Sequence, residues 1–444
     1  MTNSTSPQLS PTPWWMTGAF RPVSEESTAF DLPISGKLPP DLCGRFLRIG
    51  PNPPAGNSPH WFLGAGMIHE VRIDEGKARS YRNRYVRGAY FDAVSSGKRP
   101  PLGDLQTSMA NTHIVSHGRK LLALEETHLP VEIADDLSTV GPYDFGGKLI
   151  TSMTAHPKTC PRTGELLFFG YGFRPPFLTF HKVSADGKHL CSREIPVQKP
   201  TMMHDFHITE HYAIFMDLPL TIDTGEGNQT ALPIRWDEAY GARLAVVPRD
   251  GDGTVQWFEI DPCSAGHAMN AFEDGSELVM DVCSKTHVFK PGARDGAPFL
   301  FRWRLNLETG RFSKERLSPD PVEFPRIADQ RTGQPYRFGY VAVLEEERFD
   351  QFRSRTIRKF NMESGAQETF SFETGSLCGE PVFVPSRAGK EEDSGYLLVY
   401  VTSEVDDSSK LCVFDAQDLA AGPRAAILMP VRVPNGLHGS WINA

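Results

Sequence analysis

The feature that most limits this chain is a train of short apolar runs cut by turn-forming residues. KLLALEE (120–126), ELLFFGY (165–171), YAIFMDL (212–218) and ELVMDVC (277–283) each have the length of a strand. So do FLFRWRLNL (299–307), YVAVLEE (340–346), YLLVYVT (396–402) and KLCVFDA (410–416). ADGK, RDGDG, EDGS, ETGR and ESGA carry glycine where a hairpin tip needs positive φ. The 36 prolines and 39 glycines would interrupt long helices. Many short strands with regular turns predict an all-β sandwich, barrel or propeller. For 444 residues, a propeller that stacks four-stranded blades around an axis fits the length best. No fixed signature such as WD repeats along the chain, so the sequence by itself gives no blade number.

Composition narrows the function. Hydrophobic residues at 39% and charged residues at 23% are ordinary for a globular protein. A formal net charge of −9 argues against nucleic acid, whose phosphates call for a basic surface. The seven cysteines are scattered and form no CxxC pair, which disfavours both a thiolate zinc site and a disulfide framework. A reducing, cytoplasmic compartment fits them. MTNSTSPQLSPTPWW lacks the basic and apolar regions of a signal peptide, and no apolar run approaches ~20 residues. Residues 1–13, rich in Ser, Thr and Pro, are expected to be a mobile tail, with 14–444 forming one catalytic domain.

Four histidines stand in short segments that read as strands or strand ends: His156 in TAHPK, His204 in MMHDF, His267 in GHAMNAF and His438 in GLHGSW. No two form a local metal pair such as HExxH. His204 and His207 come nearest, but an offset of three on a strand puts them on opposite faces. Only a closed fold brings such distant residues to one point. Imidazoles without thiolates suit a redox-capable divalent iron.

The words around these residues resemble the carotenoid cleavage oxygenases, iron-dependent enzymes that cleave alkenes. The match runs through GRFLRIGPNP (44–53), HWFLGAGMIHEVRI (60–73), YRNRYVR (81–87) and ANTHIVSHGRKLLALEE (110–126). It continues in TAHPK (154–158), MMHDFHITEHYAIF (202–215), HAMNAFED (267–274) and EFPRI (323–327). GEPVFVP (379–385), SGYLLVYV (394–401) and PNGLHGSW (434–441) complete it, in the family's order. The resemblance implies a seven-bladed β-propeller, roofed on one face by loops and short helices, with one Fe(2+) per chain on its axis. It implies His156, His204, His267 and His438 as ligands, so His204 and not His207. Glu126, Glu323 and Glu380 would then hold the far ring nitrogens, an arrangement usual for metal-bound imidazole. His438 is seventh from the chain end, and a metal bond would keep so terminal a segment ordered. Thr112 maps to a threonine that borders the oxygen pocket.

The implied reaction is scission of a carbon–carbon double bond by O2 to give two carbonyl products. Both oxygen atoms enter the products, so no reductant is required; no GxGxxG or P-loop occurs in the chain. Relatives divide between carotenoid or apocarotenoid cleavers and stilbene or phenylpropene cleavers. The phenolic class typically carries Lys immediately before the first supporting Glu. Here that position is Glu125, which cannot stabilise a phenolate and favours an apocarotenoid; it stands as a substrate-adjacent candidate. The family's DGDGM reads LGAGM here, with Leu63 and Ala65 replacing both Asp. A greasy substrate suggests peripheral membrane contact, with TPWWM (12–16) and PPFLTF (175–180) as candidates for an exposed apolar patch. The alternatives are a non-catalytic propeller binding protein and a calcium- or zinc-dependent hydrolase. Calcium prefers oxygen ligands and catalytic zinc usually takes three protein ligands, so four His suit neither.

Overall fold

The computed structural model describes residues 12–100, 103–223, 232–251 and 253–444. Of the tail expected to be mobile, residues 1–11 lie outside these. Seven antiparallel sheets form the blades of a β-propeller, joined by a small hairpin of Leu220–Ile222 and Ile234–Trp236. The inner strands, following the chain, are His113–His117, Lys158–Thr159, Phe206–Ile208, Ser264–Asp274 and Val322–Ile327. The last full blade begins with two short pieces, Ser376–Cys378 and Val382–Pro385, both paired to Gly395–Ser403. The first blade takes its inner strand from the other end of the chain: Gly439–Asn443 pairs with Gly44–Pro51, Arg48 opposite Gly439. Ile34–Gly36 pairs outside Pro423–Leu428, so the ring is closed by both ends of the chain.

Burial follows strand position. Leu166–Tyr171 is buried at every residue because its two faces meet neighbouring blades. The outer strand Gln367–Ser371 alternates between exposed and half-buried residues. Between the third and fourth blades, Phe206 stacks on Phe215 at 5.5 Å and meets the edge of Phe169 at 5.3 Å. Buried charge is paired. Asp281 accepts from Arg302 Nε and Nη2, both at 2.9 Å, and from the Tyr336 hydroxyl at 2.5 Å. An unpaired carboxylate at that depth would be costly.

The α-helix Ala89–Ser95 and several one-turn helices sit in the connections. Among the described residues no helix is long and apolar enough to cross a membrane. Of PPFLTF, anticipated as an apolar patch, Pro175 and Pro176 are exposed and Phe177 is half-buried. Leu178 and Phe180 are buried in the core between blades, because the strand Leu178–Val183 lies inside its sheet. In TPWWM, Trp14 packs on Phe20 at 4.9 Å and on Trp61 at 5.3 Å.

Candidate metal centre

Each blade delivers one residue to the axis from at or near the start of its inner strand. In chain order these are Thr112, His156, His204, His267, Glu323, Glu380 and His438. Two irregularities aim them. The register slips on both sides of Ala268, next to His267, and again between Glu323 and Arg326. Such bulges redirect side chains that a regular strand would alternate. Gly266 is required here: a Cβ would stand 2.6 Å from Glu323 Oε1.

The four imidazoles meet. Their candidate ligand atoms all lie within 4.8 Å of one another. His204 Nε2 is 3.1 Å from His156 Nε2 and 2.9 Å from His267 Nε2. Two nitrogens at right angles on a metal roughly 2.1 Å away would be about 3.0 Å apart. His438 Nδ1 donates to Glu380 Oε1 at 2.9 Å and His267 Nδ1 to Glu323 Oε2 at 2.5 Å. Glu126 Oε1 is 2.9 Å from His204 Nδ1, in ion-pair contact but off line for a hydrogen bond. Glu323 and Glu380 hold the ring protons of His267 and His438 on Nδ1, and the Glu126 charge favours the same tautomer at His204, which leaves their Nε2 lone pairs facing the cluster. Facing lone pairs repel unless a cation lies among them, so the donor set fits a divalent metal and in particular the nitrogen-rich iron site.

Electrostatics favour neutral rings at two of the four donors. Burial pushes His438 down to about 4 against the pull of Glu380, and burial with its three imidazole neighbours drives His156 well below its ordinary value. At His204, burial is outweighed by the Glu126 carboxylate, which raises the imidazole. Burial would raise Glu380, yet the Arg326 guanidinium and His438 hold it far below the usual carboxylate range.

Glu126, Glu323 and Glu380 are thus each beside one of the four His. Thr112 is buried, its hydroxyl donates to Asn111 Oδ1 at 2.9 Å, and its carbonyl accepts from the His438 backbone N–H at 3.1 Å. Asn111 in turn donates to the carbonyls of Phe62 and Gly64, which secures the LGAGM turn without the family's two Asp. Glu125 points elsewhere. It is buried, accepts from His128 Nδ1 and takes the Thr127 N–H at 3.3 Å. Burial and then the Glu125 charge lift the Tyr90 phenol to about 12.

The sequence reading missed four contributors. Asp205 takes Lys158 Nζ at 2.8 Å and the Ala268 N–H at 2.8 Å, and so ties the segments of His156, His204 and His267 together. Arg326 lies 3.4 Å from Glu380. His113 stands 5.4 Å from the His438 ring. Asp205 and Lys158 had a readable signal, since each is a charge within two residues of a His in an apolar segment. Arg326 and His113 had none.

The two sides of the cluster differ. Phe324 lies 5.6 Å from the His267 ring and 5.5 Å from His438, and continues through Phe352 to Trp61 and Phe62. The inner strands run away from the His on the opposite side and enclose an axial channel of about 240 Å³. Its lining is mostly polar or charged, including His113, Lys158, Asp205, His207, Asn270 and Arg326.

Comparison with known proteins meets this geometry. The family model described as retinal pigment epithelial membrane protein matches residues 20–443. A carotenoid cleavage oxygenase of Mycobacterium tuberculosis is 35% identical across 96% of this chain and 97% of its own length. The chain belongs to the carotenoid cleavage oxygenase family. Within that family, lignostilbene-alpha,beta-dioxygenase isozyme III of Sphingomonas paucimobilis is 32% identical over 97% of each chain. The crystal structure of Pseudomonas brassicacearum lignostilbene dioxygenase superposes with a TM-score of 0.90 at 29% identity, covering 98% of this chain and 99% of that one. A variant of Synechocystis apocarotenoid oxygenase shares the fold, with a TM-score of 0.86 at 24% identity over 96% and 98% of the two chains.

Proposed function

We propose that this chain is an iron-dependent dioxygenase that splits a carbon–carbon double bond of an apocarotenoid or carotenoid with O2. The observation that carries the reading is the meeting of four imidazole Nε2 atoms, three of whose rings are backed by carboxylates. His156, His204, His267 and His438 hold the iron, one ion per chain. Ferrous iron bound there supplies the redox chemistry that joins O2 to an electron-rich alkene. The balance closes without a reductant: the C=C and O–O bonds break and two C=O bonds form.

The protein's own groups prepare the site. Glu126, Glu323 and Glu380 keep the ring protons on Nδ1 and offset the metal charge. Phe324 and the rings behind it keep water from one side. Thr112, tied to His438 through its carbonyl, borders the oxygen position. Residues 14–444 act as one catalytic unit, and seven free cysteines suit a cytoplasmic enzyme, at most peripheral to a membrane.

An apocarotenoid is favoured because Glu125, engaged with His128, offers no cation to a phenolate. A stilbene or phenylpropene is the second reading, and the 0.90 superposition on a lignostilbene dioxygenase favours it. Iron-loaded protein incubated under ¹⁸O2 with a panel of apocarotenals and hydroxystilbenes tests both. Labelled aldehydes from the apocarotenals are expected. Label only from the stilbenes reverses the substrate order, and cleavage without label ends the dioxygenase reading.

A further inference from the structure

The metal has two conceivable ways in. One side of the His cluster is faced by aromatic rings, with Phe324 against both His267 and His438. A hydrated dication crossing that side would shed its water among apolar groups, at high cost. The axial channel on the other side is different. Its volume of about 240 Å³ has room for about eight waters at ~30 Å³ each. Its far rim is open to solvent at Ser116, Thr159 and Asp329.

One residue of this channel has no part in the centre described above. His207 is only 1% exposed, lines the channel, and meets the Asn270 backbone, with no side-chain hydrogen bond among the described residues. An imidazole that gives one N–H to a backbone carbonyl keeps a lone pair on its other nitrogen. The neighbouring charges are already committed: Lys158 to Asp205, and Arg326 to Glu380. The channel is therefore a balanced, wettable passage with one spare imidazole nitrogen along it.

We propose that the axial channel is the loading route for the divalent metal, and that His207 is a transient ligand that hands the ion from the rim to the four-His cluster. This rests on the proposed iron site but not on the reaction or the substrate. An imidazole part-way along replaces water ligands singly, which lowers the barrier to leaving solvent. His207 lies three residues beyond His204 on the same segment of the same blade.

The test follows cobalt(II) uptake by chelator-stripped full-length protein, read by stopped-flow absorbance without substrate. His207→Phe fills the passage and removes the donor; His207→Ala removes the donor alone. Ser116→Trp obstructs the exposed rim and cannot disturb the core. Uptake is expected to slow roughly tenfold or more in His207→Phe and Ser116→Trp, the scale of a lost supporting group at a metal site, and less in His207→Ala. Final stoichiometry should stay at one cobalt per chain. Wild-type rates in Ser116→Trp and in a folded His207→Phe overturn the route and leave the iron site standing. Failure of the wild-type protein to take up cobalt overturns the site and the route together.

Discussion

Glu125 and Glu126 are neighbours in the chain but serve different imidazoles: Glu125 accepts from His128, while Glu126 lies 2.9 Å from His204. The strand Lys120–Leu124 ends just before them, so the pair leaves regular geometry and turns two ways. Glu126→Gln removes the charge that favours the Nδ1 proton of His204. It is expected to weaken iron affinity about 10- to 100-fold. Glu125→Gln should leave metal content unchanged and alter only the Michaelis constants of the substrate panel. Metal analysis after dialysis at graded iron concentrations separates the two variants.

His438 joins closure to chemistry. Its backbone N–H donates to Thr112, its carbonyl accepts from Ile49, and its ring faces the cluster. His438→Ala keeps the backbone bonds and is expected to lose iron with a shift of only a few degrees in melting temperature, of the order a ~1 kcal/mol change produces. A chain ending at Pro434 loses the strand Gly439–Asn443 as well and should show no cooperative melt. Calorimetry and metal content on both proteins check the contrast.

His60 makes one contribution to the pH dependence, beside other buried histidines such as His113 and His438. Burial alone pushes its imidazole from 6.5 down to about 4. Between those values the unfolded chain binds the proton that the folded chain refuses. Stability is therefore full above about pH 6.5 and falls as the pH drops toward 4, at up to ~1.4 kcal/mol per pH unit. Its Nδ1 takes the Phe62 N–H at 3.1 Å, a bond that His60→Asn can imitate. Denaturant melts from pH 7 to 4 should show a shallower decline in that variant. An identical slope excludes His60 as a source.

Phe324 is 4% exposed and stands at φ 54 between two imidazoles and Phe352. Phe324→Ala is expected to destabilise the fold by about 3–5 kcal/mol, through lost burial and the cavity left behind. Urea denaturation measures this. A cost under ~1 kcal/mol would mean that the neighbouring rings collapse into the gap.

What could be read in the sequence follows the burial pattern. The eight apolar runs became Lys120–Leu124, Leu166–Tyr171, Tyr212–Asp217, Glu277–Lys285, Phe299–Asn306, Phe338–Leu344, Gly395–Ser403 and Ser409–Asp415. All are middle strands, and most are largely apolar because blades cover both faces. Inner strands such as Lys158–Thr159 and Phe206–Ile208 are two or three residues long and carry polar groups toward the axis, too little for a periodic signal. Outer strands such as Phe312–Arg316 are largely exposed and read as loop. The histidines stood out because they interrupt apolar words, but that they meet depends on blade closure, which no local pattern records. Asp205 was overlooked because HDF reads as a ligand with bystanders. PPFLTF was legible only in part, because an apolar word beside a turn looks exposed along its whole length until its sheet partners are known.

The strand that closes the first blade lies directly behind the fourth imidazole, and this sets an order on maturation. Until residues 438–443 dock, a nascent chain offers three nitrogens and an open ring. The complete four-imidazole set thus arrives only with the finished architecture.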